Sequence, residues 1–265
     1  MKIIFYISLL SLLSLSSLGY AQIFNIENFV IEKDTIGFSG GIDLNISLVK
    51  NTKTNFSFNN YGYIEYRIHK HLFSLTSHVH IKRVDYEDDI NNNSLLLKYD
   101  YQARKHLFFE SFIQNYTNQV SKINNRFMVG SGARFQFVET KKFMYSFGSY
   151  FMYVYEHEDD NIGHEDDEDH IKVPSVYHND LRLGLYLSSV YDLTENISFK
   201  LATFYQPEIT YFKDYRFDLM ARASLKIFKN LEYNISYILS LDSYPAFEVP
   251  TTQYQLLNGL SYTFK

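Results

Sequence analysis

Apolar and polar residues alternate along nearly the whole chain, which is the period of a β-strand. Over 215–227, Tyr215, Phe217, Leu219, Ala221, Ala223, Leu225 and Ile227 share one face, and Arg216, Asp218, Met220, Arg222, Ser224 and Lys226 share the other. Leu181, Leu183, Leu185 and Leu187 likewise oppose Arg182, Gly184 and Tyr186, and Phe143, Tyr145, Phe147, Phe151, Tyr153 and Tyr155 oppose Ser146, Gly148 and Tyr150. Twelve such segments are predicted, at 35–49, 54–68, 71–84, 93–104, 106–119, 125–139, 142–157, 178–192, 196–206, 214–228, 231–242 and 252–264. Most exceed the ~5–6 residues of an ordinary globular strand and match or exceed the ~9–11 that a tilted strand needs to cross a bilayer.

The connections alternate too. Tight turns such as 69–70, 105 and 229–230 are interleaved with a second set that is mostly longer, at 86–92, 158–177, 207–213 and 243–251, although 51–53 and 122–124 in that set are short. Outer-membrane barrels have short periplasmic turns and longer outer loops. In hydrocarbon every backbone polar group must be paired, so only helices or closed sheets survive there. The prediction is an all-β fold, a transmembrane antiparallel up-and-down β-barrel of about 12 strands over 35–265. The competing soluble fold, a periplasmic sandwich, should have shorter strands.

Residues 1–21 read as a signal peptide. Lys2 is the positive start, Ile3–Leu18 the apolar run, and Gly19-Tyr20-Ala21 puts small residues at the positions a cut before Gln22 requires. Residues 22–34 form an N-terminal periplasmic segment. The chain ends on Tyr262-Thr263-Phe264-Lys265, an aromatic-rich last strand suited to the barrel assembly machinery. The expected location is the cell outer membrane of a Gram-negative bacterium, with outer-membrane lipid and lipopolysaccharide as surroundings.

Composition narrows the function. The absence of Cys removes thiol nucleophiles and thiolate metal sites. A net charge of −5 gives no case for nucleic acid, and no cofactor is expected.

Several stretches resemble the domain-of-unknown-function (DUF) 481 family, described as salt-induced outer-membrane proteins. They are Asn125-Arg126-Phe127-Met128-Val129-Gly130-Ser131-Gly132, Tyr153-Val154-Tyr155-Glu156, Asp180-Leu181-Arg182, Phe204-Tyr205-Gln206-Pro207, Asp214-Tyr215-Arg216, Ser243-Tyr244-Pro245 and the tail Leu260–Phe264. The double-Pro loop of many relatives reads Tyr244-Pro245-Ala246-Phe247-Glu248 here. The resemblance covers roughly 35–264. It implies an outer-membrane barrel and no particular activity.

If apolar faces meet lipid, the lumen is lined by Arg126, Arg134, Arg182, Arg216, Arg222, Asp218, Glu110 and His80, together with Asp43, Glu65, Arg67, His78, Lys82, Lys98, Asp100, Lys200 and Lys226. One reading is a set of ion pairs that hold and partly fill the barrel, since unpaired buried charge is costly. The other is a narrow, somewhat anion-favouring pore for ions or small solutes, because rings of Arg and Lys select anions.

Residues 156–170 read EHEDDNIGHEDDEDH, in which nine of fifteen are acidic. Without those nine the chain has 25 bases to 21 acids, so the acidity is local. The bland reading is a solvated outer loop. Two functional ones are weak divalent-metal capture by His157, His164 and His170, and a salt- or pH-responsive gate over the mouth. The alternative function is therefore a non-conducting surface barrel whose acidic loop binds metal or a partner. A third, an outer-membrane lipid hydrolase built on Ser74, His80 and Glu110, lacks a nucleophile–base pair placed by spacing. No enzyme activity is expected.

Overall fold

The structure is a computed structural model and describes residues 36–50, 54–84, 87–140, 142–159 and 174–264. The signal peptide, the 22–34 segment, His164 and His170 fall outside them.

Twelve strands run β1 (Gly37–Lys50), β2 (Thr54–Ile68), β3 (His71–Val84), β4 (Glu87–Arg104), β5 (Leu107–Asn118), β6 (Ile123–Glu139), β7 (Phe143–Glu158), β8 (Val176–Asp192), β9 (Ile197–Pro207), β10 (Tyr215–Phe228), β11 (Leu231–Asp242) and β12 (Thr252–Phe264). Each pairs antiparallel with its chain neighbours, and β1 pairs with β12 to close the barrel. The seam is short, from Gly40↔Phe264 to Leu44↔Leu260. A β-carbon on Gly259 would collide with the Asn45 side chain and the Leu44 carbonyl, so a glycine is what lets the first and last strands approach.

Closure leaves the apolar residues outside. Phe38, Leu48, Ile64, Leu97, Phe109, Phe151, Leu181, Leu187 and Ile227 are exposed on the outer wall. So large an apolar surface around a whole sheet is that of a protein in lipid rather than water. Aromatic girdles mark both rims. Near the tight turns Phe38 packs on Tyr66 at 4.6 Å and Phe143 stacks on Tyr191 at 4.2 Å. Near the other end Tyr205 packs on Tyr215 at 5.5 Å and His157 stacks on Tyr177 at 4.4 Å. Both chain ends of the barrel and the tight turns share one rim, which is therefore the periplasmic one.

Two elements differ from the sequence reading. Strand β4 starts at Glu87 rather than 93, so most of the 86–92 loop is ladder, shifted by a bulge at Lys82/Arg83. A polar composition argues for a loop only where one face must meet lipid, and outside the bilayer a strand needs no apolar face. The β5–β6 connection contains a 3-10 turn, Gln119–Ser121. It is pinned to the extended β4, with Asn91 N donating to Gln119 Oε1 at 2.6 Å and Gln119 N to Asn92 Oδ1 at 2.9 Å.

Candidate functional site

The lumen is the candidate site, and alternation decides what fills it. On β10 the buried positions are Arg216, Asp218, Met220 and Ser224, one residue in two. Inward polar side chains are buried on every strand from β1 to β12, among them Asp43, Glu65, His78, Asp100, Glu110, Arg126, Glu156, Arg182, Gln206, Asp218, Ser236 and Gln255.

Two charge networks lie one above the other. In the outer half, Arg216 on β10 forks onto Glu156 on β7, with Nη1 and Nη2 donating at 2.8 and 2.7 Å, while its Nε donates to Asp242 at 2.7 Å. The fully buried Arg126 places Nε 3.2 Å from the same Glu156. Arg182 Nη2 meets Asp180 at 3.0 Å and Asp214 at 2.9 Å, and its Nη1 donates to the Gln206 carbonyl at 3.2 Å. Burial holds the Asp214 carboxyl above the ordinary carboxylate range, with Arg182 pulling the other way. Asp218 accepts a hydrogen bond from Ser240.

In the periplasmic half, Glu110 on β5 accepts from Arg134 Nε at 2.6 Å, Lys98 Nζ at 3.1 Å and the Tyr186 hydroxyl at 2.5 Å. Arg134 also reaches Asp100 at 3.2 Å and lies over the Phe108 ring at 4.3 Å. Arg222 Nη1 donates to Asp43 on β1 at 2.7 Å, and Nε to Ser236 at 3.0 Å. Each of the five candidate arginines thus sits on a carboxylate, and four contacts of the two networks span strands that are not neighbours: Glu156 on β7 with Arg216 on β10, Asp100 on β4 with Arg134 on β6, Glu110 on β5 with Tyr186 on β8, and Arg222 on β10 with Asp43 on β1.

Between the networks lies an apolar layer of Tyr116, Met128, Tyr150, Met152, Tyr186, Phe204, Met220 and Ile238. Two of its rings rest on glycines of the neighbouring strand. Gly148 faces Tyr186 and Gly184 faces Tyr150 in the β7–β8 register, and a β-carbon on either glycine would run into the opposing ring. Tyr150 also packs edge-on against Phe112 at 5.3 Å. Sequence alternation puts Tyr150, Tyr186 and Met220 on the inward face. The glycines in phase with them were the available sign of flat-lying rings.

The outer mouth is bridged. Lys122, just after the 3-10 turn, reaches Glu248 of the β11–β12 loop at 3.6 Å and lies 5.9 Å from the Phe247 ring. Lys122 and Glu248 are two of the three non-glycine residues with positive φ among those described, at 57° and 63°. Ser121 is buried beneath and approaches Gln253 Nε2 at 3.4 Å. Beside this contact Tyr211 and Tyr244 join hydroxyls at 2.7 Å, which raises the pKa of Tyr211.

The other candidates are dispersed. His80 Nε2 is 3.4 Å from Ser57 Oγ, and His78 Nε2 is 3.0 Å from Asn59 Oδ1. Ser74 and His80 lie six residues apart on one strand, about 20 Å, so they do not meet. His157 is stacked on Tyr177, with Nδ1 3.1 Å from Asn124 Nδ2. Among the described residues Asp180, Glu208 and Asp214 bring carboxylate oxygens within 4.8 Å of one another. Arg182 already supplies a cation to two of them.

The fold is shared with solved outer-membrane proteins. An outer membrane channel from Pseudomonas putida F1 superposes with a TM-score of 0.53 at 10% identity, over 91% of this chain and 100% of that one. The NanC porin superposes with a TM-score of 0.51 at 8% identity, over 86% and 99%. No curated protein matches in sequence. Closed topology, lipid-facing exterior and these likenesses make the protein a β-barrel of the Gram-negative outer membrane. The model of the family described as "Protein of unknown function, DUF481" matches residues 42–264, nearly the whole barrel, and the chain belongs to that family.

Proposed function

We propose that the protein is a narrow outer-membrane channel for ions and small solutes, held nearly closed in this structure by its own side chains. The observation that carries this is the polar interior. A barrel needing only solidity gains as much or more from apolar filling, because buried ion pairs are often no better than well-packed hydrophobic groups. Here charges line both halves of the lumen, and Lys98, Arg134 and Arg222 stay partly open to water on long side chains. Twelve strands enclose a bore between the side-chain-filled lumen of eight and the open channel of sixteen. Two of the solved structures that share the fold are a channel and a porin.

The arginines alone do not make an anion filter, since each has a carboxylate partner. Chemistry on a bound substrate gains no support from Ser74, His80 and Glu110, which do not assemble. The test is current through the folded mature protein in a planar bilayer. Steady unitary steps are expected. A protein that is folded by gel mobility yet silent would leave a solid barrel instead.

A further inference from the structure

The two charge networks are oriented, and the orientation is opposite in the two halves. In the periplasmic half the base is the exposed partner: Lys98 and Arg134 keep 16% and 17% of their side-chain surface, against 7% for Glu110. Arg222 keeps 17%, against 10% for Asp43. In the outer half the acid is the exposed partner. Asp180 and Asp214 keep 17% and 18%, against 3% for Arg182, and Asp242 keeps 10%, against 7% for Arg216. At the mouth Glu248 is far more exposed than Lys122. The His178–Glu158 pair and the more deeply buried Arg216–Glu156 pair run the other way.

We infer that the lumen is a bipolar path, cation-attracting at its outer end and anion-attracting at its periplasmic end, and that it rectifies ion flow. The inference rests on the channel reading above. The physics is local screening. Within about 10 Å of a wall charge at 0.1 M salt the exposed partner dominates the potential that an ion meets. When the outside is positive, cations enter past Asp180 and Asp214 while anions enter past Lys98, Arg134 and Arg222. Both species then accumulate inside and conductance is high. Reversing the voltage draws both out of the lumen and conductance falls.

The test is the current–voltage relation of single channels of the wild-type protein at low salt. The chain lacks Cys, so Thr210→Cys, in the outer β9–β10 loop, reports orientation when a bulky charged maleimide is added to one side. The expected result is a current about twofold larger with the outside positive, with the ratio falling towards one at 1 M salt, where the Debye length is about 3 Å. Lys98→Gln, which leaves Glu110 its bonds from Arg134 and Tyr186, and Asp180→Asn should each lower the low-salt ratio. A linear relation, or a ratio larger with the outside negative, overturns the inference and leaves the channel standing. Silence from folded protein removes both. The wild-type salt series decides without any variant.

Discussion

The ring of Tyr150 on β7 occupies the space that a β-carbon on Gly184 of β8 would need. The reciprocal pair, Tyr186 over Gly148, lies one step further along the same two strands. Rings laid flat on glycine turn what would be an open wall into the apolar layer between the two charge networks.

Gly184→Ala should therefore cost about 1–3 kcal/mol, the usual range for overpacking a filled interior. The urea midpoint of the lipid-embedded barrel, scored by the mobility difference between folded and unfolded protein on a gel, measures this. Adding Tyr150→Leu to the same chain should recover part of the loss, because it removes the ring that the new methyl strikes.

Glu156 is the shared partner of Arg126 and Arg216. Glu156→Gln leaves two buried guanidinium groups short of charge and should cost about 3–5 kcal/mol, the range for breaking a buried pair from one side. Asp242→Asn should cost less, since Arg216 keeps its fork on Glu156. Equal losses from the two variants in the same urea series would contradict this hierarchy.

The contact of Lys122 with Glu248 and Phe247 joins two loops at the outer mouth and has little thermodynamic weight, because Glu248 is exposed and exposed ion pairs contribute at most about 1 kcal/mol. Glu248→Gln combined with Phe247→Ala should leave the urea midpoint nearly unchanged. It should raise the fraction of time that single channels spend open, most clearly at low salt, where the wild-type pair is least screened. An unaltered open fraction would show that the mouth contact does not limit passage.

The alternation that separates Leu219 and Ala221 from Arg216, Asp218 and Met220 is written in neighbouring residues, because side chains of a strand change face at every step. Strand count, wall orientation and the membrane setting were legible for that reason. The partners of the inward charges were not. Arg216 meets Glu156 sixty residues away and Arg222 meets Asp43 from the far end of the chain. Such pairings depend on the stagger of the closed sheet, which no local pattern encodes. The extension of β4 down to Glu87 was hidden because Glu87, Asp88 and Asn91–Asn93 carry no apolar face. The mouth contact was hidden because it joins two loops that are adjacent only once the barrel has closed.

In the proposed channel the side chains, not the wall, set the bore. The most direct measurement is single-channel conductance of the wild-type protein against Tyr150→Ala, each inserted folded into the same bilayer at the same salt. A small, steady wild-type conductance that rises severalfold in the variant is the predicted result. Equal conductance in the two proteins, or none in either, would contradict it.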